Sequence, residues 1–100
     1  MVKHIILWQL KEELTAEEKT AVKAGIKEGL EGLLGQIPGL TEIKVQTEGL
    51  PSSNADVMLY SVFDTSDALK GYAVHLAHVE VADTKVRPFT KTRLCLDFEE

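Results

Sequence analysis

Residues 65–78 read TSDALKGYAVHLAH, and this stretch places a helix between two strands of the predicted fold. It opens with residue types that start a helix and ends with the polar aromatic side chains of Tyr72, His75 and His78. Two of the three histidines of the chain lie here, and the third, His4, lies in the first strand. Because no other stretch gathers so many groups able to bind or transfer a proton, we predict a functional site at the end of this helix.

Four other stretches have the composition of β-strands, and they differ in how many of their faces are apolar. Val2–Leu10 and residues 56–63 carry large apolar side chains on both faces, which predicts central strands. Residues 40–48 and 89–99 carry a charged face, which is typical of edge strands. With one helix after the first strand and one after the third, the order is β-α-β-β-α-β. This order predicts an α+β, ferredoxin-like fold with a four-stranded antiparallel sheet.

The first helix is predicted to begin at Thr15, which forms a capping box with Glu18, and to end at Pro38 and Gly39. Its apolar positions recur at steps of three and four residues: Val22, Ile26, Leu30, Leu33, Leu34 and Ile37. It also contains Gly25, Gly29, Gly32 and Gly35. Each glycine costs a helix up to about 1 kcal/mol relative to alanine. We interpret the glycines as a close approach of the helix to the sheet, and the alternative is space left beside a ligand.

The second helix is predicted to begin at Asp64 or Thr65. Its inward stripe is predicted to consist of Leu69, Tyr72, Ala73 and Leu76. Tyr72 and His78 are six residues apart, so they reach one pocket only if the helix breaks near Leu76. In that case Tyr72 donates a hydrogen bond to a carbonyl oxygen and neutral His78 accepts a proton. The alternative is that Tyr72 packs on the core while protonated His78 interacts with the last helix carbonyls.

The His75-x-x-His78 spacing would place two metal ligands side by side on a continuous helix. No third ligand with the spacing of a zinc site lies nearby, and Glu80 and Asp83 are candidates only by proximity. We therefore predict no metal and no cofactor. The single cysteine, Cys95, is predicted to be a small buried strand residue.

Two helices can cover only one face of a four-stranded sheet, so the apolar residues on the other face need a partner. The simplest partner is a second copy related by two-fold symmetry, which predicts a homodimer of a single domain spanning residues 1–100. On the covered face we predict a mostly apolar pocket between helices and sheet. Its predicted ligand-binding residues are His4, Ile6, Trp8, Val57, Leu59 and His75.

The composition excludes several classes of partner. The formal net charge is −5, and no dense cluster of Lys and Arg could neutralise a run of phosphates, so we expect no nucleic-acid partner. The same charge argues against an anionic membrane surface, and no segment has the roughly 20 apolar residues of a membrane span. A single cysteine and the lack of a recognisable signal peptide predict a cytoplasmic location.

Several short motifs together resemble the stress-responsive dimeric α+β barrel domain family. They are VKHIIL at residues 2–7, IPGL at residues 37–40, and the Tyr-x-x-His-x-x-His run that ends at His78. The resemblance covers nearly the whole chain. This resemblance implies a dimeric α+β barrel formed by the two sheets of a homodimer. The family includes plant stress-induced barrel proteins.

One branch of that family, similar to olivetolic acid cyclase, closes linear polyketides by aldol chemistry. The resemblance implies catalytic roles for His78, as the base, and for Tyr72, which helps to hold the oxygen, with His4 lining the site. The chain departs from the branch at Val57, where the branch has a histidine. It departs from the family at Leu76, where proline is usual.

These observations predict a homodimer that binds a small apolar or carbonyl-bearing metabolite, with acid–base chemistry by His78 and Tyr72. Two alternatives remain open at this point. One is a stress-associated binding or structural protein without chemistry, in which the polar side chains only order the helix end. The other is a cofactor-free monooxygenase of the related dimeric barrel group.

Overall fold

The computed structural model describes the whole chain, Met1–Glu100, and confirms the predicted ferredoxin-like α+β fold. The strands are β1 (Val2–Leu10), β2 (Leu40–Gln46), β3 (Val57–Phe63) and β4 (Thr90–Glu99). The helices are α1 (Ala16–Glu31), α2 (Ser66–Val74) and α3 (Leu76–Val81). A π-helical turn (Ala82–Val86) and a 3-10 turn (Arg87–Phe89) connect α3 to β4.

The sheet is antiparallel with the order β2-β3-β1-β4, so the two strands with apolar residues on both faces are central, as predicted. Residues that lie opposite each other in an antiparallel pair point to the same face. His4 lies opposite Ser61 of β3 and Asp97 of β4. His4, Ser61 and Asp97 therefore point to the same face of the sheet, which extends from the central strands to the edge strand β4.

The helices cover this face, and their apolar side chains pack against it. The hydrophobic core contains 17 buried residues, and it includes Ile26 and Leu30 of α1 as well as Phe63 and Tyr72. Burial of each such side chain contributes about 1.5–3 kcal/mol to the free energy of unfolding.

Helix α1 begins as predicted but ends earlier. Thr15 accepts a hydrogen bond from the backbone N–H of Glu18, and the Glu18 side chain returns the bond, which completes the capping box. The predicted continuation to Pro38 is wrong, because α1 ends at Glu31 and residues 32–36 form turns. Gly35 has a φ of 92°, a left-handed conformation that glycine adopts readily and that is incompatible with a continuing helix.

The glycines of α1 bring it close to another helix, and the predicted approach to the sheet is wrong. A Cβ atom at Gly29 would lie 2.9 Å from Cγ1 of Val81 in α3. That distance is shorter than a normal carbon–carbon contact. Gly29 therefore allows α1 and α3 to pack directly against each other.

The second predicted helix breaks at His75, next to Leu76, where a break would let Tyr72 and His78 reach one pocket. His75 has φ −66° and ψ 133°, so α2 stops before it and α3 starts after it. Nδ1 of His75 accepts a hydrogen bond from the backbone N–H of Ala77 at 3.1 Å and caps α3. The predicted inward position of Leu76 is wrong, because its side chain follows the break and is 82% exposed.

The opposite face of the sheet is apolar and uncovered within one chain. It exposes Leu94 and Leu96 at 63% each, and Leu7 and Phe98 at 37% each. This uncovered surface is the one that the predicted homodimer would use as its contact. None of the helices combines the length and the apolar character needed to cross a membrane.

Candidate functional site

A cavity of about 700 Å³ lies between the helices and the covered face of the sheet. Six of the eight residues predicted for the site are among those that line it: His4, Ile6, Trp8, Leu59, Tyr72 and His78. The other two are not among them. Val57 is buried in the core, and His75 caps α3. The wall is mostly apolar, with a few polar groups, as in many small-molecule sites.

Tyr72 and His78 meet in the cavity because of the break at His75. Their ring centroids are 4.0 Å apart and the ring planes are inclined by 34°. The Tyr72 hydroxyl and Nδ1 of His78 are both buried and have no hydrogen-bond partner within the chain. Buried polar atoms are nearly always paired in proteins, so these two atoms are suited to receiving a ligand.

Burial sets the protonation states of this pair. It raises the pKa of the Tyr72 hydroxyl, and the positive charge of Arg93 opposes the rise. Burial also lowers the pKa of His78, an effect that Arg87 strengthens and a backbone hydrogen bond with Ala73 opposes. At neutral pH Tyr72 therefore keeps its proton and His78 is neutral, so one can donate a hydrogen bond while the other accepts a proton.

His4 has a partner that the sequence did not reveal. Its ring is buried and packs edge-on against Tyr72, with 5.9 Å between centroids. Nδ1 of His4 is hydrogen-bonded to the carboxylate of Asp97 on β4. In the sequence, Asp97 only indicated that its strand lies at an edge of the sheet. Its contact with His4 depends on the strand register that places positions 4 and 97 opposite each other.

Cys95 was predicted to be buried, and that prediction is wrong. The residue is exposed and lines the cavity, because β4 is an edge strand and no helix covers this part of it. Its Sγ lies 3.9 Å from Nδ1 of His4 and 3.5 Å from the carboxylate of Asp97. The residue as a whole is exposed, but its thiol is partly buried. This burial and, to a smaller extent, the charge of Asp97 raise the pKa of Cys95.

Cationic side chains also line the cavity, and the sequence patterns did not bring them together. They are Lys70 of α2, Arg87 and Arg93. Arg87 forms an ion pair with Asp83, so this carboxylate, which had been a candidate metal ligand by proximity, is already engaged.

One solved structure resembles this chain in sequence as well as in fold. A dimeric protein of unknown function with a ferredoxin-like fold from Bacteroides fragilis is 34% identical, with a TM-score of 0.92. The match covers 99% of this chain and 95% of that chain. No protein with a curated functional description matches the chain.

Two further structures are more distant and show the fold alone. A dimeric ferredoxin-like protein of unknown function from Thermobifida fusca is 21% identical, with a TM-score of 0.77, and the match covers 97% of this chain and 88% of that chain. A hydroxynitrile lyase from Passiflora edulis is 18% identical, with a TM-score of 0.72 and coverage of 97% and 90%.

The family itself is established by the sequence over nearly its full length. The profile of the Stress responsive A/B Barrel Domain matches residues 2–100. This agrees with the motifs at the N-terminus and at the helix break, and with the ferredoxin-like fold. The chain therefore belongs to the stress-responsive A/B barrel domain family.

Proposed function

We propose that the protein is a homodimer that binds a small, carbonyl-bearing metabolite in the cavity and transfers a proton there with His78 and Tyr72. The observation that carries this proposal is the stacked pair of rings whose buried hydroxyl and Nδ1 have no partner within the chain. A structural role alone would not require two unpaired polar atoms in one cavity, because leaving such an atom buried costs about 1–3 kcal/mol.

The pKa of Tyr72 is raised and that of His78 is lowered, so the two residues have different roles. Neutral His78 accepts a proton from the carbon next to the carbonyl group of the ligand. The Tyr72 hydroxyl, which stays protonated, donates a hydrogen bond to the carbonyl oxygen as negative charge develops on it. The mostly apolar wall lowers the local dielectric constant and thus strengthens this hydrogen bond.

The cavity size and lining support a small, mostly apolar ligand. Its volume of about 700 Å³ lies within the usual range for small-molecule sites, which is roughly 300–1,000 Å³. Ten of its 18 lining residues are hydrophobic, so they favour an aromatic or aliphatic body next to the reacting carbonyl group.

The homodimer is supported by the uncovered apolar face and by the relative from Bacteroides fragilis, which is described as dimeric. Pairing two such faces would bury Leu94, Leu96 and their neighbours between the sheets. In this arrangement each subunit keeps its own cavity on the helix side.

Proton abstraction can be measured without knowing the natural substrate. Benzylacetone, a methyl ketone with an aromatic body, is incubated with the protein in D₂O, and deuterium incorporation next to the carbonyl group is followed by proton NMR. We expect wild-type protein to accelerate exchange over buffer. His78→Gln should reduce the enzymatic rate by at least about 100-fold, and Tyr72→Phe by about 100-fold.

The matched control is His75→Asn, which removes a histidine outside the cavity and keeps a side chain suited to capping α3. This variant should exchange at the wild-type rate. Tyr72→Phe removes only a hydroxyl without a partner, so its fold should be retained. Exchange by His78→Gln at the wild-type rate would contradict the proposed base.

The two alternatives predict different results in the same samples. A binding protein without chemistry gives ketone-dependent chemical-shift changes in cavity residues but no exchange above the buffer rate. A cofactor-free monooxygenase consumes oxygen when it is given an electron-rich aromatic substrate. Oxygen uptake in an electrode chamber, with His78→Gln as comparison, identifies that case.

A further inference from the structure

Three different metal-ligating side chains converge on one side of the cavity, and the proposed proton transfer uses none of them. They are His4, Cys95 and Asp97, whose Nδ1, Sγ and carboxylate oxygen all lie within 4.8 Å of one another. Cys95 and Asp97 are two residues apart on β4, so they point to the same face. His4 lies directly opposite Asp97 on β1, and this pairing completes the cluster.

Two of the three distances between these atoms resemble those of a tetrahedral metal site. Ordinary zinc bond lengths place a sulfur ligand about 3.5 Å from a nitrogen or oxygen ligand of the same ion. Here Sγ of Cys95 lies 3.5 Å from the Asp97 oxygen and 3.9 Å from Nδ1 of His4. The third pair, Nδ1 of His4 and the Asp97 carboxylate, is joined by a hydrogen bond, and an ion would take the place of the proton between them.

The surroundings allow an ion to enter and to be held. His4 is buried on the rigid central strand, whereas the Asp97 side chain is 43% exposed and can turn to make room. The Cys95 thiol gives up its proton when a metal ion binds, as thiol ligands of metals do. The donor set of imidazole, thiolate and carboxylate suits zinc and similar transition metals rather than magnesium or calcium.

We propose that His4, Cys95 and Asp97 form a binding site for one zinc-like divalent ion per chain. Three protein ligands leave a fourth position, as in zinc sites that bind water or a substrate atom. All three residues line the cavity, so this position is available to a heteroatom of the bound metabolite. The sequence concealed the site because its ligands lie on two strands that are 91 residues apart along the chain.

The test uses the full-length chain without an affinity tag and with its thiol kept reduced. Cobalt(II) is added first, because a thiolate ligand produces an intense sulfur-to-cobalt charge-transfer band. Zinc is then titrated in competition with a chromogenic chelator, which gives stoichiometry and affinity. We expect one ion per chain, a thiolate–cobalt band, and displacement of cobalt by zinc.

Two exposed ligands provide variants that keep the fold. Cys95→Ser should abolish the charge-transfer band. Cys95→Ser and Asp97→Asn should each weaken zinc binding by at least about tenfold, because even the loss of a residue that only orients a metal ligand costs that much. Glu99→Gln is the matched control, since this carboxylate is the next one on the same face of β4. It should bind zinc as wild-type protein does, and circular dichroism of each variant checks the fold.

Several results would overturn the proposal. They are the absence of a charge-transfer band in wild-type protein, zinc affinity that is unchanged in both Cys95→Ser and Asp97→Asn, and loss of binding in His78→Gln alone. The last result would assign the ion to the His75-x-x-His78 pair instead. Because zinc affinity is measured without any substrate, the outcome is independent of the ketone exchange experiment.

Discussion

At the scale of single residues, the cavity depends on two side chains whose surroundings oppose their charged forms. Tyr72 is 2% exposed, and its ring lies against those of His4, Phe63 and His78. A charged tyrosinate or imidazolium there loses hydration, and the charge of Arg93 offsets only part of that loss for Tyr72. The pair therefore holds a neutral donor beside a neutral acceptor, which is the arrangement that proton abstraction next to a carbonyl group needs.

The lowered pKa of His78 makes the stability of the protein depend on pH. In the unfolded chain the imidazole titrates near its ordinary value of about 6.5, whereas burial disfavours its protonation in the folded chain. As pH falls below that value the unfolded state binds more protons, so the free energy of unfolding decreases. Arg87, Arg93 and His4 face the ring with positive or potentially positive charge and act in the same direction.

The measurement is the urea midpoint at pH 7.5 and at pH 5.5 for wild-type protein and for His78→Gln. Wild-type protein should lose more stability on acidification than the variant does, because carboxylates titrate alike in both. Equal losses would mean that His78 is not desolvated in the folded state.

The residue scale is also where the sequence was least informative. Tyr72 and His78 were identified because they lie in one short run, but the residues alone did not decide whether the helix breaks between them. Asp97 and Cys95 were not, because their relation to His4 arises from strand register, and an alternating pattern on an edge strand does not specify which partner residue lies opposite.

At the scale of elements, the break between α2 and α3 directs His78 toward Tyr72. The family resemblance implied a proline at position 76 as its cause, and the chain achieves the break without it. His75 instead takes an extended conformation and caps α3 with its own ring. The predicted order of elements and the first helix start were confirmed because periodicity and capping residues are local signals. The end of α1 was not, since its apolar spacing continues through the turns after Gly32.

The variant Leu76→Pro should therefore be tolerated or mildly stabilising. Position 76 is the first residue of α3, where proline is favoured, and the extended His75 is compatible with a following proline. We expect the free energy of unfolding to stay equal or to rise by up to about 1 kcal/mol in urea denaturation. Val74→Pro, an equally exposed change inside α2, should instead cost about 3 kcal/mol. Similar losses in both variants would contradict the described break.

At the scale of the whole molecule, the sheet has one face covered by helices and one apolar face without cover. This division could be predicted because the central strands are apolar on both sides while the chain supplies helices for one side only. The relative from Bacteroides fragilis is described as dimeric, which supports the proposed homodimer. We infer that the open face is the contact between two copies.

A charge placed in this face should separate the subunits. Sedimentation equilibrium at micromolar concentration should give wild-type protein twice the chain mass of 11.1 kDa. Leu96→Glu should give the single-chain mass, because each subunit would bury an unpaired carboxylate in the contact. Val74→Glu, a charge on an exposed position of α2, should remain dimeric. Wild-type protein that sediments as a single chain would contradict the dimer.

The central claim is that His78, a half-buried residue whose Nδ1 is buried, is a neutral acceptor that contacts the ligand, and an NMR titration of its imidazole tests this most directly. The ring is followed from pH 4 to pH 8 with and without benzylacetone. The account predicts that His78 titrates below the ordinary value of about 6.5 and that the ketone shifts its titration further. A His78 ring that titrates near the ordinary value and does not respond to the ketone would contradict it.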